Sequence, residues 1–250
     1  MIRRSQEPPT AEKLMDQVVF SALDWPGKTV RLERNSQEDY CQRPSSSRLS
    51  IAELYHENSK LFPAMVAELA AATLDTDGVR AEFLRRRAEA LSQNQQMEVS
   101  PPLRELLTQI AHVVQPELFY AIELRIAENG TLASHEPLAD RLFLVKRLSP
   151  ADRTRLTEAI RLFDESSGPA QDLLFVIGNF ARNDLLFGAR GYRRTLIEAG
   201  RVTEAVLGIA ARLGLTARLL IEFTDRALDG VLEADGTEEG VLAVLEPGSL

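Results

Sequence analysis

Arginine and glycine residues cluster where the sequence predicts the start of a long helix. Gly188 and Gly191 frame a short turn, and Arg190 and Arg193 stand beside it. A guanidinium at a helix start can bind a phosphate through two parallel hydrogen bonds, and the backbone N–H groups of the first turn add further donors. Arg190, Arg193 and the adjacent Arg194 are therefore candidates for binding a phosphate group.

The same arginines have a second interpretation as members of ordinary ion pairs. Arg190 and Arg193 could pair with Asp184, which precedes the turn, or with Glu198, which lies further along the predicted helix. Residues three or four apart on a helix are neighbours, so a carboxylate here can pair with an arginine. A carboxylate of a partner subunit could do the same. The spacing leaves both interpretations open.

Other patterns with chemical potential are weak. Gly188-x-x-Gly191 is too short for a Walker-type loop or a dinucleotide fingerprint. Cys41 is the only cysteine and has no visible catalytic partner, so neither a disulfide nor a cysteine-based metal cluster is predicted. The histidines are too few and too scattered for a zinc site: His56, His112 and His135. No metal site is predicted.

Two charged runs invite a functional interpretation that helical geometry does not support. Tyr55–Lys60 places His, Glu, Ser and Lys close together in sequence, but adjacent helical positions point in different directions. A structural or docking role is favoured there. Arg85–Arg87 spans most of a helical turn in the same way, so we expect a solvated surface and no single binding face.

The composition is that of a soluble globular protein. The chain has 250 residues, of which 44% are hydrophobic and 26% are charged, enough for a core without disulfides. A net charge of -8 argues against nucleic-acid binding by phosphate neutralisation. No apolar run approaches the roughly 18 residues of a membrane span, and the N-terminus lacks the apolar segment of a signal peptide. We expect a cytoplasmic protein that binds neither nucleic acid nor membrane.

The long helix is predicted over Tyr192–Leu213. It should end at Gly214, because glycine commonly terminates helices. Before it, Leu173–Ile177 forms a compact apolar run that predicts a buried strand. The polar, glycine-containing residues Gly178–Gly191 predict a connection between the strand and the helix.

The rest of the chain alternates between helical and strand periodicity. Asn129-Gly130 is its strongest hairpin signal. Further helices are predicted over Pro63–Leu74, Val79–Leu91, Pro101–Val114, Pro150–Phe163 (capped by Ser149) and Asp225–Leu232, and further strands over Glu117–Ala127, Leu142–Val145, Ala217–Phe223 and Val241–Leu245. Leu142–Val145 is either the strand that returns from the hairpin or a later one. Together these elements predict an α+β fold, with residues 1–50 as a partly mobile extension and 51–250 as the domain.

Several of these stretches resemble one family. Gly188–Arg193, Leu196–Gly200 and Ala211–Leu215 look like the corresponding segments of nitroreductase-like flavoproteins. Within that group the sequence is most similar to the azoline dehydrogenases of ribosomal peptide maturation, of the streptolysin S and microcin B17 type. Tyr55–Lys60 resembles an N-terminal signature of these enzymes, and Asp225–Gly248 resembles their C-terminal end.

The resemblance implies a fold, a cofactor and partners. The fold would be nitroreductase-like, with a central sheet flanked by helices and a long buried helix. The cofactor would be FMN, carried by this chain or shared with a partner. Arg193 and Arg190 match the family's phosphate-binding arginines, with Gly188 and Gly191 beside them. The partners would be a precursor peptide, a flavoprotein or cyclase subunit, and a second subunit in a homo- or heterodimer with the flavin between subunits.

The sequence departs from the family at three places that carry chemistry. Leu186-Phe187 replaces a Lys-Tyr pair thought to handle substrate protons, and neither side chain can exchange a proton. His112–Glu117 stands where a Pro-Ser-Ala-Gly-type loop meets the flavin ring. The family's N-terminal Arg-x-Ser-x-Arg element is missing after Lys60, and Arg3–Ser5, which has a similar composition, lies on the wrong side of Tyr55–Lys60. No catalytic residue can therefore be assigned.

Two hypotheses follow from this mixture of matches and departures. In the first, the chain is a component of an FMN-dependent oxidoreductase that modifies a ribosomally synthesised peptide, by azoline-to-azole dehydrogenation or a related backbone oxidation. In the second, it is a catalytically degenerate scaffold subunit that binds an active flavoprotein partner or the precursor peptide. Under both, we expect an assembly of subunits. Apolar residues on several faces of the long helix, and its glycines Gly200 and Gly208, would let another backbone approach closely.

Overall fold

The computed structural model describes residues 75–92, 94–161 and 172–248. Several features discussed from the sequence lie outside them: the helix Pro63–Leu74, the stretch Tyr55–Lys60, Cys41 and Arg3–Ser5. The division of the chain at residue 50 also stays a prediction.

A six-stranded sheet forms the centre of the fold. Its strands are arranged in the order β3-β2-β1-β4-β6-β5, and every neighbouring pair is antiparallel. The strands are β1 (Ile122–Glu128), β2 (Thr131–Glu136), β3 (Arg141–Arg147), β4 (Leu173–Asn179), β5 (Thr216–Leu220) and β6 (Glu239–Gly248). This sheet with its flanking helices confirms the predicted α+β class.

The helices occupy the segments between the strands. They are α1 (Thr76–Leu91), α2 (Pro101–Val113), α3 (Pro150–Ile160), α4 (Phe180–Phe187), α5 (Gly191–Arg212) and α6 (Asp225–Leu232), with 3-10 turns at Pro116–Tyr120 and Gly188–Arg190. Among the described residues, no helix is long and apolar enough to cross a membrane.

Both faces of the sheet are covered, so its central strands are apolar on both sides. Ile122, Leu124 and Ile126 of β1 point to one core, which also contains buried residues of α1, α2 and α5. Phe175 and Ile177 of β4 point to the other, where α3 and α6 pack. Each fully buried aliphatic or aromatic side chain contributes about 1.5–3 kcal/mol to stability. The sheet is therefore a rigid base for the loops at its ends.

The hairpin signal and its neighbours are confirmed in part. Asn129 and Gly130 have positive φ values of 49° and 74° and join β1 to β2, as the sequence predicts. The strand predicted over Glu117–Ala127 is wrong in its first half, because Pro116–Tyr120 forms a 3-10 turn. β2 was not predicted, since its residues Thr131–Glu136 are mostly polar. Leu142–Val145 belongs to β3 and is thus the later strand.

Helix ends follow ordinary capping chemistry. Ser149 caps α3, as predicted, and forms a reciprocal capping box with Asp152. Thr224 is the N-cap of α6, and Asp225 is the first residue of that helix, as predicted. Gly214 has a φ of +73° after α5, which only a residue tolerant of the left-handed region adopts easily.

The predicted connection Gly178–Gly191 is wrong in detail. Gly178 and Asn179 complete β4, and Phe180–Phe187 form α4. The polar residues Arg182, Asn183 and Asp184 suggested a loop, but α4 begins directly after the strand. The chain then makes one 3-10 turn and enters α5.

The long helix α5 is amphipathic. Val202, Val206 and Ile209 are buried against the sheet. Leu196 and Ile197, on another part of the helix surface, are 40% and 59% exposed. Gly200 and Gly208 were predicted to mark close backbone contacts, but neither does so within the described part of the chain. A Cβ at Gly200 would meet nothing within 4 Å, and one at Gly208 would meet only a side-chain atom of Arg212 at 3.8 Å.

The described residues divide into two compact units. Asp75–Asn183 and Arg194–Leu250 form one, and Asp184–Arg193 belongs to the other. The sheet and both cores lie within the first unit.

Two glycines give opposite expectations for stability. Gly200→Ala should raise the free energy of unfolding by about 0.5–1 kcal/mol, because alanine favours the helix and the added methyl meets open space. Gly178→Ala should lower it by about 1–3 kcal/mol, because its Cβ would lie 2.5 Å from Leu242 Cδ1 and 2.9 Å from Thr195 Cγ2. Urea unfolding of both variants measures the difference; equal effects would contradict this packing.

Candidate functional site

The phosphate-binding candidates lie in one short stretch of the chain, between α4 and the first turn of α5. Gly188 opens the 3-10 turn with a φ of +55°, and a Cβ there would meet no atom of the described residues within 4 Å. Arg190 closes the turn, and the Gly191 N–H donates to the Gly188 carbonyl. Gly191 is buried, and Arg190 and Arg193 are half-buried. The predicted set is therefore contiguous at a helix start.

The arginines of this stretch favour an anion, while Asp184 adds one carboxyl group to it. The first turn of α5 contains no acidic residue, and a helix start carries a partial positive charge from its backbone N–H groups. Arg190 has no ion-pair partner among the described residues, and Arg193 adds a second guanidinium within the turn. A phosphate group fits this donor set, because arginine can bind phosphate through two hydrogen bonds. The residues therefore suit the phosphate end of FMN.

Asp184 is the carboxyl group of the same stretch. It accepts a hydrogen bond from the Tyr192 backbone N–H at the start of α5, which lowers its pKa. Burial outweighs that contact and raises the pKa of Asp184 to about 6. Its Oδ1 is buried and has no hydrogen-bond partner among the described residues. Asp184 therefore exchanges its proton close to neutral pH.

The ion-pair interpretation holds for Arg194. Its Nε lies 2.9 Å from Glu198 Oε1, the neighbour one helical turn along. Arg194 belongs to the unit that contains the sheet, whereas Arg190 and Arg193 belong to the other. Glu198 thus pairs with the third candidate arginine, whereas the ion-pair alternative expected it to pair with Arg190 or Arg193.

Sequence reasoning missed a buried polar cluster that includes residues flanking this stretch in the sequence. Asn183 Nδ2 donates to Thr195 Oγ1 at 3.0 Å and to Glu198 Oε2 at 2.9 Å. Arg80 of α1 forms an ion pair with Glu198 Oε1. All four side chains are at most 3% exposed. A signal was available, because Thr195 and Glu198 share the helical stripe of the buried Val202.

A second cluster of charges was also missed. Glu123 of β1 pairs with Arg182 at 2.6 Å and lies 3.6 Å from both Arg87 and Arg125. Burial alone would raise the pKa of Glu123, but the charges of Arg182 and Arg87 lower it overall. Arg87 also pairs with the fully buried Glu136 at 2.6 Å. The predicted solvated surface is therefore wrong for Arg87.

The remaining two arginines of that run behave as predicted. Arg85 and Arg86 are exposed and pair with Glu82, and Arg85 also contacts Glu89. Helical neighbours of this kind contribute little in water. Their role is that of a solvated helix surface.

The segment His112–Glu117 borders a cleft. His112 and Pro116 border a cavity of about 280 Å³, together with Leu138 and Asp140 from the turn between β2 and β3. His135, which precedes this turn in the sequence, is buried. Burial lowers the pKa of its imidazole to about 4, so the ring is neutral at physiological pH. Among the described residues, no group of three His, Cys, Asp or Glu is arranged to hold a metal ion.

Known proteins match this chain by structure. No protein-family model matches the sequence, and no curated protein matches it significantly. A protein from Anabaena variabilis ATCC 29413 assigned as a nitroreductase is similar over 80% of this chain and 46% of its own, with 20% identity and a TM-score of 0.58. A chain of the E. coli microcin synthetase McbBCD complex, solved with truncated pro-MccB17 bound, is similar over 98% of this chain and 99% of its own, with 18% identity and a TM-score of 0.53.

This chain has the nitroreductase-like fold. It spans about half the length of the Anabaena protein, at 46%. A protein from Ralstonia eutropha JMP134 assigned as a nitroreductase matches more weakly, over 62% of this chain and 75% of its own, with 17% identity and a TM-score of 0.48. The likeness to the Anabaena protein and to the microcin synthetase chain confirms the resemblance noted in the sequence at the level of the nitroreductase-like fold.

Replacing Asp184 by asparagine should stabilise the nitroreductase-like fold more at neutral pH than in acid. The pKa of Asp184 is raised from 3.8 to about 6 in the folded state, so the folded protein retains a proton that the unfolded chain releases. Stability therefore falls as pH rises from 3.8 to about 6. Asparagine keeps the acceptor for Tyr192 but carries no charge. The gain of Asp184→Asn over wild type should be larger at pH 7 than at pH 4.

Asp152→Asn provides a control of opposite sign. Hydrogen bonds from Ser149 lower the pKa of Asp152, so its carboxylate stabilises the folded state above its ordinary pKa. This variant should lose about 1 kcal/mol at pH 7 and less in acid. Urea unfolding at both pH values measures each difference, and a pH-independent effect of Asp184→Asn would contradict the burial argument.

Proposed function

We propose that this chain is an FMN-binding component of an oxidoreductase that modifies a ribosomally synthesised peptide. The observation that carries the proposal is the stretch Gly188–Arg193, which puts two arginines and an open glycine turn at a helix start. The nitroreductase-like fold and the likeness to a microcin synthetase chain support it. The proposed reaction class is azoline-to-azole dehydrogenation or a related backbone oxidation.

Arg190 and Arg193 would hold the phosphate of FMN through charged hydrogen bonds. Gly188 and Gly191 would let the phosphate approach the backbone, because neither has a side chain that could obstruct it. When bound, FMN would accept a hydride from the substrate. The protein's part is to bind the phosphate, orient the cofactor and provide a group for the proton that accompanies the hydride.

The proton step is where this chain differs from the family it resembles. Leu186 and Phe187 are half-buried hydrocarbon side chains that cannot accept a proton. Asp184 can hold one at its carboxyl group near neutral pH, but its Tyr192 contact gives it a structural role as well. We therefore assign no catalytic residue. The same departure favours the second candidate function, a scaffold subunit that completes the site of an active flavoprotein or binds the precursor peptide.

The proposed partners follow from the same comparison. The McbBCD complex contains several subunits and was solved with truncated pro-MccB17 bound, and this chain aligns with nearly the whole of one of its chains. We propose that this chain likewise works in a cytoplasmic assembly with a precursor peptide and a flavoprotein or cyclase subunit. A homo- or heterodimer would place its flavin between subunits.

Removing either arginine should weaken FMN binding more than riboflavin binding. A charged hydrogen bond contributes about 1.5–3 kcal/mol, so Arg193→Ala or Arg190→Ala should lower FMN affinity by about tenfold or more. Riboflavin lacks the phosphate, and its affinity should change little. Fluorescence titration of both ligands measures the two constants.

The matched control is Arg212→Ala, at the opposite end of the same helix. It should leave both affinities within about twofold of wild type, because the C-terminal end of a helix has no free backbone N–H groups to bind phosphate. Full FMN affinity in both Arg190→Ala and Arg193→Ala would show that the phosphate lies elsewhere. Equal losses for FMN and riboflavin would show that the arginines do not contact the phosphate.

The FMN-binding species should be larger than a monomer. Light scattering of the purified, flavin-loaded protein should give a mass above the 27.8 kDa of one chain. Gly208→Leu should reduce that assembly, whereas Gly208→Ala should not, because only the larger side chain prevents a helix from approaching closely. A 27.8 kDa particle that binds FMN and turns over peptide alone would contradict the proposal.

A further inference from the structure

The ends of the stretch Asp184–Arg193 are tied together by side chains. Asn183 is the last residue before it, and Arg194 and Thr195 are the first two after it. Asn183 Nδ2 donates to Thr195 Oγ1 at 3.0 Å and to Glu198 Oε2 at 2.9 Å. The side-chain amide of Asn183 therefore joins the two ends of the stretch. We call the place where these ends meet the neck.

Glu198 is the centre of this neck. Its Oε1 accepts from Arg80 and from Arg194, and its Oε2 accepts from Asn183. The Asn183 amide must face Glu198 with its nitrogen, because a carboxylate has no proton to donate. Glu198 thereby connects α1, the end of the neck on α4, and the other end on α5.

The residue before Asn183 is held as well. The Tyr120 hydroxyl donates to the Arg182 carbonyl at 3.1 Å, and Arg182 Nη1 donates back to the Tyr120 carbonyl at 3.1 Å. Arg182 also pairs with Glu123 of β1 at 2.6 Å. The Arg80 guanidinium lies over the Tyr120 ring, 5.5 Å from its centroid. Arg182, two residues before the stretch, is thus held by Tyr120 and by Glu123 at the start of β1.

Stability alone is a poor reason for this cluster. Burying a carboxylate and a guanidinium is costly, and their mutual attraction often only offsets that cost. Apolar residues of similar volume would stabilise the fold as well. Asn183 Oδ1 is buried and has no hydrogen-bond partner among the described residues, which is a further cost. Unlike an apolar cluster, the polar cluster fixes the orientation of its side chains, because each hydrogen bond fixes an angle as well as a distance.

We propose that Asn183 and Glu198 are positioning residues, which hold the ends of Asp184–Arg193 so that Arg190 and Arg193 stay in the arrangement that would bind a phosphate. The part concerning the ligand rests on the proposed function. The part concerning the order of the stretch does not, and can be measured without any ligand.

Hydrogen exchange followed by mass spectrometry tests the ordering directly. Asn183→Ala removes both hydrogen bonds across the neck. Exchange in peptides covering residues 184–193 should rise by about tenfold, while exchange in β4 and β6 rises much less, because the stretch opens locally and not with the sheet. An equal rise in all peptides would mark Asn183 as an ordinary stabilising residue, and no rise in residues 184–193 would also overturn the proposal.

Two further variants keep the result interpretable. Val231→Ala removes buried methyl groups from the core on the opposite side of the sheet from α5, so it should destabilise the protein without a preferential effect on residues 184–193. Thr195→Val preserves shape and removes one of the two bonds of Asn183. It should give a smaller rise confined to the same peptides, and it replaces Asn183→Ala if that variant does not fold.

FMN titration of Asn183→Ala separates the two proposals. If wild type binds FMN and the variant loses about tenfold in FMN affinity with little change for riboflavin, the positioning role is supported. If the variant keeps both full FMN affinity and the protection of residues 184–193, the positioning role is wrong. If wild type itself binds no FMN, the proposed function fails, and the exchange experiment still decides whether Asn183 orders the stretch.

Discussion

The buried carboxylate of Glu198 is the interaction on which the candidate site depends. It is 3% exposed and accepts hydrogen bonds from Arg80, Asn183 and Arg194. An uncompensated charge at this depth would be very costly, so the carboxylate of Glu198 must keep its three hydrogen-bond donors. Because those donors come from α1, α4 and α5, one carboxylate determines how three helices meet beside the sheet. Two of these donors, Asn183 and Arg194, directly flank Asp184–Arg193, the stretch that contains the residues proposed to bind phosphate.

The sheet gives this carboxylate a fixed frame. Leu124 and Ile126 of β1, Val176 of β4 and Val202 of α5 are all buried in the core on which the long helix packs. Close packing makes such an interior resist small displacements. Gly178 of β4 lies so close to Thr195 that even a methyl group would not fit between them. Thr195 of the long helix is therefore located by steric contact from the sheet and by a hydrogen bond from Asn183.

How much could be predicted from the sequence depended on whether a signal was local. Apolar periodicity located β4, α2 and α5, and Asn129-Gly130 located the first hairpin, because each depends on neighbouring residues. The strand Thr131–Glu136 escaped notice because its pairing with β1 and β3, rather than its polar residues, makes it a strand. The candidate residues Gly188–Arg193 are contiguous and could be recognised. Arg80, Asn183 and Glu198 could not be connected, since 118 positions separate the first from the last and only the fold brings them together.

The visible absorption spectrum of the purified protein tests the central claim most directly. The chain should be purified after FMN is supplied in excess, with unbound flavin removed, both alone and in any assembly it forms. We predict the absorption bands of an oxidised flavin at close to one flavin per site, with release of FMN on denaturation and loss of the bands when Arg190 and Arg193 are both replaced by alanine. A folded protein that stays colourless alone and in its assembly, or a flavin content that ignores both arginines, would contradict the account.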